Sequence, residues 1–157
     1  MPDQPFNACE YLLDRRVAAG DGDRLAITGV AGDLSYGALL ERVHRIAGVL
    51  RGLGLQPEQR VAMFMADSPD FFGVYLAAMR IGAVAVPVST MLRADGLAGL
   101  LRDSRARLLV VTPEFAPVAQ EAIGGAPELR GVLAAGGAVI APGAAGRAAP
   151  AAAWVGA

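Results

Sequence analysis

Side chains able to do covalent or acid–base chemistry are few and scattered in this chain of 157 residues. His44 is the single histidine and Cys9 the single cysteine. A zinc site of ordinary His/Cys composition therefore cannot form within one chain. His44 falls between Val43 and Arg45 in a helical pattern, where a lone histidine reads as a surface or half-buried residue. Cys9 stands beside Glu10, and the sequence offers no helix N-terminus or cation to favour its thiolate, so it is expected to be inert. Asp67 and Asp70 bracket Ser68-Pro69 and are explained by helix capping, while Asp21 and Asp23 bracket a glycine turn. Gly20/Gly22 and Gly52/Gly54 give only G-x-G, without the further glycine of a dinucleotide loop, and read as helix stops. All 14 basic residues are arginine. Without lysine the chain can make no Walker A loop, no Schiff base and no lysine clamp on an acyl phosphate. Phe71 and Phe72 read as core rather than as a base-stacking platform. The residues alone describe a scaffold without an assembled active site.

The elements that would carry these residues follow from composition and pattern. At 54% hydrophobic and 18% charged, with mean hydropathy +0.43, the chain is excluded from the disordered class and has material for the core of one domain. The balance of 14 basic and 15 acidic residues gives net charge −1, which excludes a nucleic-acid-binding surface. A single cysteine rules out an internal disulfide and fits a reducing compartment. The start, Met1-Pro2-Asp3-Gln4-Pro5, has neither the charge nor the apolar run of a signal peptide. The longest uncharged run, Gly131 to Gly146, is 16 residues, shorter than the ~20 of a membrane helix and interrupted by glycine and proline. The expectation is a soluble, cytoplasmic chain with neither a membrane nor a nucleic acid as partner.

Along the chain, Phe6 to Ala19 has amphipathic helical spacing and stops at Gly20. Leu25 to Val30 and Leu34-Ser35-Tyr36 predict a small hairpin. Ser35 is a plausible N-cap for a helix striped by Leu39, Leu40, Val43, Ile46, Ala47, Leu50 and Leu53, with Glu41, Arg42, Arg45 and Arg51 opposite. Arg60 to Ala66 is a strand, and Asp67-Ser68-Pro69-Asp70 opens a helix whose Phe71, Phe72, Tyr75, Leu76 and Met79 are expected to be largely buried. Val84 to Ser89 is a strand that Pro87 places at an edge or bends. A helix over Ala94 to Arg105, a strand over Arg107 to Thr112, a short helix over Ala116 to Ile123 and a strand over Gly131 to Ala135 complete the order. Strands alternating with helices predict an α/β fold, a parallel sheet with helices on both faces. From Gly136 onward 17 of 22 residues are alanine, glycine or proline, so residues 136–157 are expected to be a disordered tail behind a domain of residues 6–135.

Several segments together resemble a known family. Leu34-Ser35-Tyr36-Gly37-Ala38-Leu39, the helix running to Leu53-Gly54-Leu55, and Pro57-Glu58-Gln59-Arg60-Val61-Ala62 are similar to the opening of adenylate-forming enzymes: acyl-CoA synthetases, luciferases and adenylation domains. Asp67-Ser68-Pro69-Asp70-Phe71 and Arg80-Ile81-Gly82-Ala83-Val84-Ala85-Val86-Pro87-Val88-Ser89-Thr90 extend the likeness. Asn7 to Arg15 and Asp103 to Val111 resemble the benzoate-CoA ligase branch. Ala38 stands where many relatives have glutamate, leaving half of a capping box with Ser35, and Ser89 stands where relatives often have asparagine.

The resemblance implies the N-terminal subdomain of an AMP-binding domain. The full-length family uses ATP, Mg2+ and CoA: a carboxylate attacks the α-phosphate to give an acyl-adenylate, and the CoA thiol then displaces AMP. The family's glycine- and Ser/Thr-rich phosphate loop, acid pocket, ribose-binding acid and late lysine have no counterpart among these residues, so no catalytic residue is assigned and no cofactor is expected for this chain alone. Some relatives place a basic residue near bound CoA in the loop after the third strand; Met91 occupies about that position, and Arg93 is the nearest cation and the one cofactor-binding candidate. The leading expectation is an N-terminal portion of a benzoate-CoA ligase-like enzyme, inactive alone through truncation, gene splitting or a frameshift. Its partner would be the remaining portion of the ligase, or another copy through an apolar face. A stand-alone interaction module and a flavodoxin-like nucleotide-binding domain are the competing readings.

Overall fold

The computed structural model describes residues 6–30 and 32–135, together with the backbone of residues 139–140. The first segment is helical from 8 to 21, wound as π-turns over Glu10–Asp14 and Val17–Asp21, and helical dihedrals fail at Gly20, where φ is 90°. Strands β1 (Leu25–Ile27) and β2 (Leu34–Ser35) form the predicted antiparallel hairpin. Helix α1 (Tyr36–Gly52) follows at once, because the Ser35 hydroxyl accepts from the Ala38 N–H at 3.3 Å and satisfies a first-turn donor. Gly54, at φ 81°, turns the chain out of α1.

The remaining elements alternate: β3 (Arg60–Phe64), α2 (Pro69–Arg80), β4 (Val84–Pro87), α3 (Ala94–Ser104), β5 (Leu108–Val111), α4 (Ala116–Ala122) and β6 (Gly131–Ala134). The sheet order is β4-β3-β5-β6, all parallel. A short strand β7 (Val139–Ile140) pairs antiparallel with β6, adding an element where the composition predicts none. The rest of 136–157, the tail expected to lack structure, lies outside the described residues. Pro87 sits on edge strand β4, as its missing N–H requires.

Period-two alternation splits the core into two layers. Val61, Met63, Met65, Leu108, Val110 and Leu133 face one way and pack with Leu39, Val43, Ile46 and Leu50 of α1 and Val74 and Ala77 of α2. Ala62, Phe64, Leu109, Val111 and Val132 face the other way, against Leu97 and Leu101 of α3 and Ala119 and Ala122 of α4. Both faces of the sheet are thus covered, as continuous apolar strands require.

Helix α2 differs from the expected bulky, buried face. Its buried residues are Gly73, Val74, Leu76, Ala77 and Ala78, while Phe71 and Tyr75 are half-buried and Phe72 is 45% exposed. The reason is close packing on α1. A Cβ on Gly73 would lie 2.6 Å from Ile46 Cδ1, so the small-residue face turns inward and the aromatic stripe turns out.

Candidate functional site

Parallel strands end in loops on one edge of the sheet, and the strand order identifies where those loops diverge. From β3 the chain crosses through α2 to β4 on one side; from β5 it crosses through α4 to β6 on the other. Helices α2 and α4 lie on opposite faces, so a crevice opens outside the carboxyl ends of β3 and β5, where ligands bind in open α/β sheets. Its walls are the β3–α2 loop (Met65 to Ser68) and the β5–α4 loop (Thr112 to Phe115). Thr112, the one buried polar or charged side chain among the described residues, ties them together: its Oγ1 accepts the Ala66 N–H at 3.1 Å. Ser68 caps α2, accepting from the Phe71 N–H at 3.2 Å. Asp70, read from sequence as a cap, instead pairs with Arg42 of α1 at 2.6 Å, half-buried; Arg42 is thereby drawn off the solvent face.

The β4–α3 loop forms the neighbouring rim. Met91 projects into solvent at 91% exposure, and the Ser89 hydroxyl accepts the Met91 N–H at 3.3 Å. Arg93 is the N-cap residue of α3, with extended backbone (φ −86°, ψ 170°) and no side-chain capping bond. It is exposed and has no ion-pair partner among the described residues. Asp67 and Glu114, exposed at the crevice loops, make that opening acidic.

The other sequence candidates are not brought together. His44 is exposed on α1. Cys9 is fully buried, and a cation does stand beside it: an Arg80 guanidinium nitrogen donates to Sγ at 3.7 Å. Burial outweighs that cation and pushes the thiol up from its ordinary value, so the expected inertness holds for a different reason. Arg80 forks onto Asp14 at 2.7 and 2.8 Å, which holds the Asp14 carboxyl below its usual range and raises the guanidinium further. Asn7 donates to the Met79 and Arg80 carbonyls at 3.1 and 3.2 Å, satisfying acceptors at the end of α2. This cluster fastens the N-terminal segment to α2. No spacing rule could reveal it, since its partners lie 66 to 73 residues apart.

Residues 14–153 match the family described as AMP-binding enzyme. The chain is 39% identical to a 4-hydroxybenzoate–CoA/benzoate–CoA ligase of Rhodopseudomonas palustris, over 87% of this chain and 25% of that protein. It is 36% identical to a benzoate–CoA ligase of Thauera aromatica, over 85% of this chain and 25% of that protein. It thus spans about a quarter of the length of these curated relatives. Among solved structures, the anthranilate CoA ligase AuaEII with anthranoyl-AMP superimposes with TM-score 0.79 and 26% identity, covering 85% of this chain and 26% of that one. A benzoate CoA ligase from Burkholderia xenovorans gives TM-score 0.77 and 27% identity, covering 83% and 26%. With fold and sequence in agreement, the chain belongs to the AMP-binding, adenylate-forming family, in which it corresponds to the N-terminal subdomain of a benzoate-CoA ligase-type enzyme.

Proposed function

We propose that this chain is the scaffold portion of an aryl-CoA ligase that converts a benzoate-type acid, ATP and CoA to the aryl-CoA, AMP and pyrophosphate, and that by itself it forms no adenylate. The observation that carries the reading is the match to benzoate–CoA ligases over most of this chain but only a quarter of theirs. The residues at the crevice agree with a scaffold role. Neither Ala66-Asp67-Ser68 nor Thr112-Pro113-Glu114 contains a glycine or a cation, and each carries an acid, so neither loop fits the negative charge of a triphosphate. Among the described residues no group of three or more His, Cys, Asp or Glu is placed to hold a metal ion.

At the rim, Arg93 is proposed to touch the anionic end of CoA: it is exposed on the loop beside the crevice and has no ion-pair partner among the described residues. The rest of the ligase fold is the proposed partner, covering apolar side chains such as Phe72, Val84 and Leu100 that this chain leaves exposed. Among the described residues no helix is long and apolar enough to cross a membrane, and a cytoplasmic setting is proposed from the single, unpaired cysteine.

The test is a chimaera in which this chain replaces the corresponding quarter of the Thauera aromatica benzoate–CoA ligase. Benzoyl-CoA formation is expected from the chimaera, and no pyrophosphate release from the chain alone with ATP, Mg2+ and benzoate. Arg93→Ala in the chimaera should raise KM for CoA about 3- to 10-fold with kcat little changed, the mark of a lost binding contact. Turnover by the isolated chain would overturn the scaffold reading.

A further inference from the structure

Residues 7–19 are held to the rest of the domain by few contacts, and most of these are polar. Cys9 and Leu13 are the buried side chains of the segment, whereas α1 and α2 bury five residues each. Tyr11 and Leu12 point outward, about half exposed. No residue of the segment belongs to a sheet. Its π-turns, whose bonds reach five residues back, are a rare winding that recurs at functional sites. The polar anchors all reach α2: Asn7 donates to the Met79 and Arg80 carbonyls, and Arg80 forks onto Asp14. The segment ends at Gly20, where φ is 90° and an added Cβ would meet nothing within 4 Å. Just beyond it the backbone is pinned: the Gly22 carbonyl accepts the Gly37 N–H at 2.8 Å, and the Arg24 carbonyl accepts the Tyr36 N–H at 2.9 Å. Gly20 is thus a joint between a lightly held helix and a fixed chain. The one ion pair across that joint, Arg16–Asp21 at 3.3 Å, has an exposed arginine and adds little.

We propose that residues 7–19 are a latched strap, which swings off α1 and α2 about Gly20 as one unit while the rest of the domain stays folded, with the Arg80–Asp14 fork as its latch. Opening breaks two apolar anchors, the Asn7 bonds and the fork, and leaves every strand pairing and the α1–α2 contact in place. Segments with so few buried apolar contacts are the ones that open below global unfolding. The fork is the strongest single polar anchor, since both its bonds are charge-assisted and short. The state of the strap is therefore set by two charged side chains at its edge rather than by the core. Opening bares Cys9, Leu13 and the carbonyls that Asn7 covers, so the strap is a built-in cover for the end of α2. The inference does not rest on the ligase reading, since every group in it lies on the first two helices and the segment before them, away from Arg93 and the crevice.

Cys9 is the single thiol and is fully buried, so its reaction with the disulfide reagent DTNB reports opening of the strap in the 157-residue chain. The reagent is kept dilute and the pH fixed, so that the rate follows the opening equilibrium. Sub-denaturing urea should change that rate little, because opening the strap exposes far less surface than unfolding the domain. Thr112→Val weakens the domain at the crevice and touches no strap residue, so it should leave the rate within about twofold. Asp14→Asn should raise it about fivefold, as expected for loss of a partly exposed ion pair. Amide hydrogen exchange of the unaltered chain gives a second measurement: the helical amides of the strap should exchange together, about tenfold or more faster than those of Val43 and Ile46 in α1. Labelling that rises with urea as steeply as global unfolding, or that Thr112→Val accelerates as much as it accelerates exchange in α1, would overturn the strap. Strap amides protected as strongly as those of α1 would do the same, and a rate indifferent to Asp14→Asn would overturn the latch. None of these results bears on the chimaera, whose readout is benzoyl-CoA.

Discussion

Thr112 shows how one side chain can hold a crevice in shape without doing chemistry. Its hydroxyl, buried at the end of β5, accepts the Ala66 N–H from the end of β3. In Thr112→Val that donor loses its partner at unchanged volume, so stability should fall by about 1–3 kcal/mol, read as a lower urea midpoint. The Arg80–Asp14 pair carries a pH signature. Arg80 depresses the carboxyl of Asp14, so the pair's contribution is complete above the ordinary aspartate value of about 4 and is lost as pH falls through the lower, folded value. Asp14 remains partly open to water, which limits the effect to on the order of 1 kcal/mol. Asp14→Asn should therefore lower the melting temperature at pH 7, and its gap from the parent should close as pH drops below about 4. At this scale the sequence was legible where partners are close along the chain, as with the Ser35 and Ser68 caps. It was not legible at Cys9 and Asp70, whose neighbours Arg80 and Arg42 arrive from 71 and 28 residues away.

Among the elements, helix α2 is the informative one. Its limits, cap and proline start follow from Asp67-Ser68-Pro69-Asp70, yet the face it buries does not. Hydrophobicity alone favours burying Phe72; the geometry instead buries Gly73, because only a residue without a Cβ lets α1 approach this closely. Two glycine substitutions separate propensity from packing. Gly48→Ala, on the exposed side of α1 with nothing within 4 Å of the new methyl, should stabilise by about 0.5–1 kcal/mol. Gly73→Ala gains the same helix propensity but forces a methyl against Ile46, and should cost a net ~1–3 kcal/mol. Chemical denaturation of both variants checks the pair, and a stabilising Gly73→Ala would disprove the tight α1–α2 contact. Strand β6 is a further case: a four-residue run of weak pattern is fully buried because β5 and β7 pair with it on either side.

For the whole molecule, the order β4-β3-β5-β6 produces the crevice at the carboxyl ends of the strands. The side chains that the sheet and helices leave uncovered, Phe72, Val84 and Leu100 among them, predict concentration-dependent self-association of the chain alone, which sedimentation velocity would detect; a monomer at all concentrations that binds no hydrophobic dye would count against the proposed covering partner. Element identity, the α/β class and the family were readable from residue order, because hydrophobic period, caps and turn residues act over a few positions and collinear motifs need no contacts. The absence of lysine likewise excludes whole classes of chemistry from the sequence alone. Strand neighbours, the close face of α2 and the cation on Cys9 were settled only by folding. Each depends on which distant segments become adjacent, and register across a parallel sheet is set by packing on both faces rather than by any local run of residues.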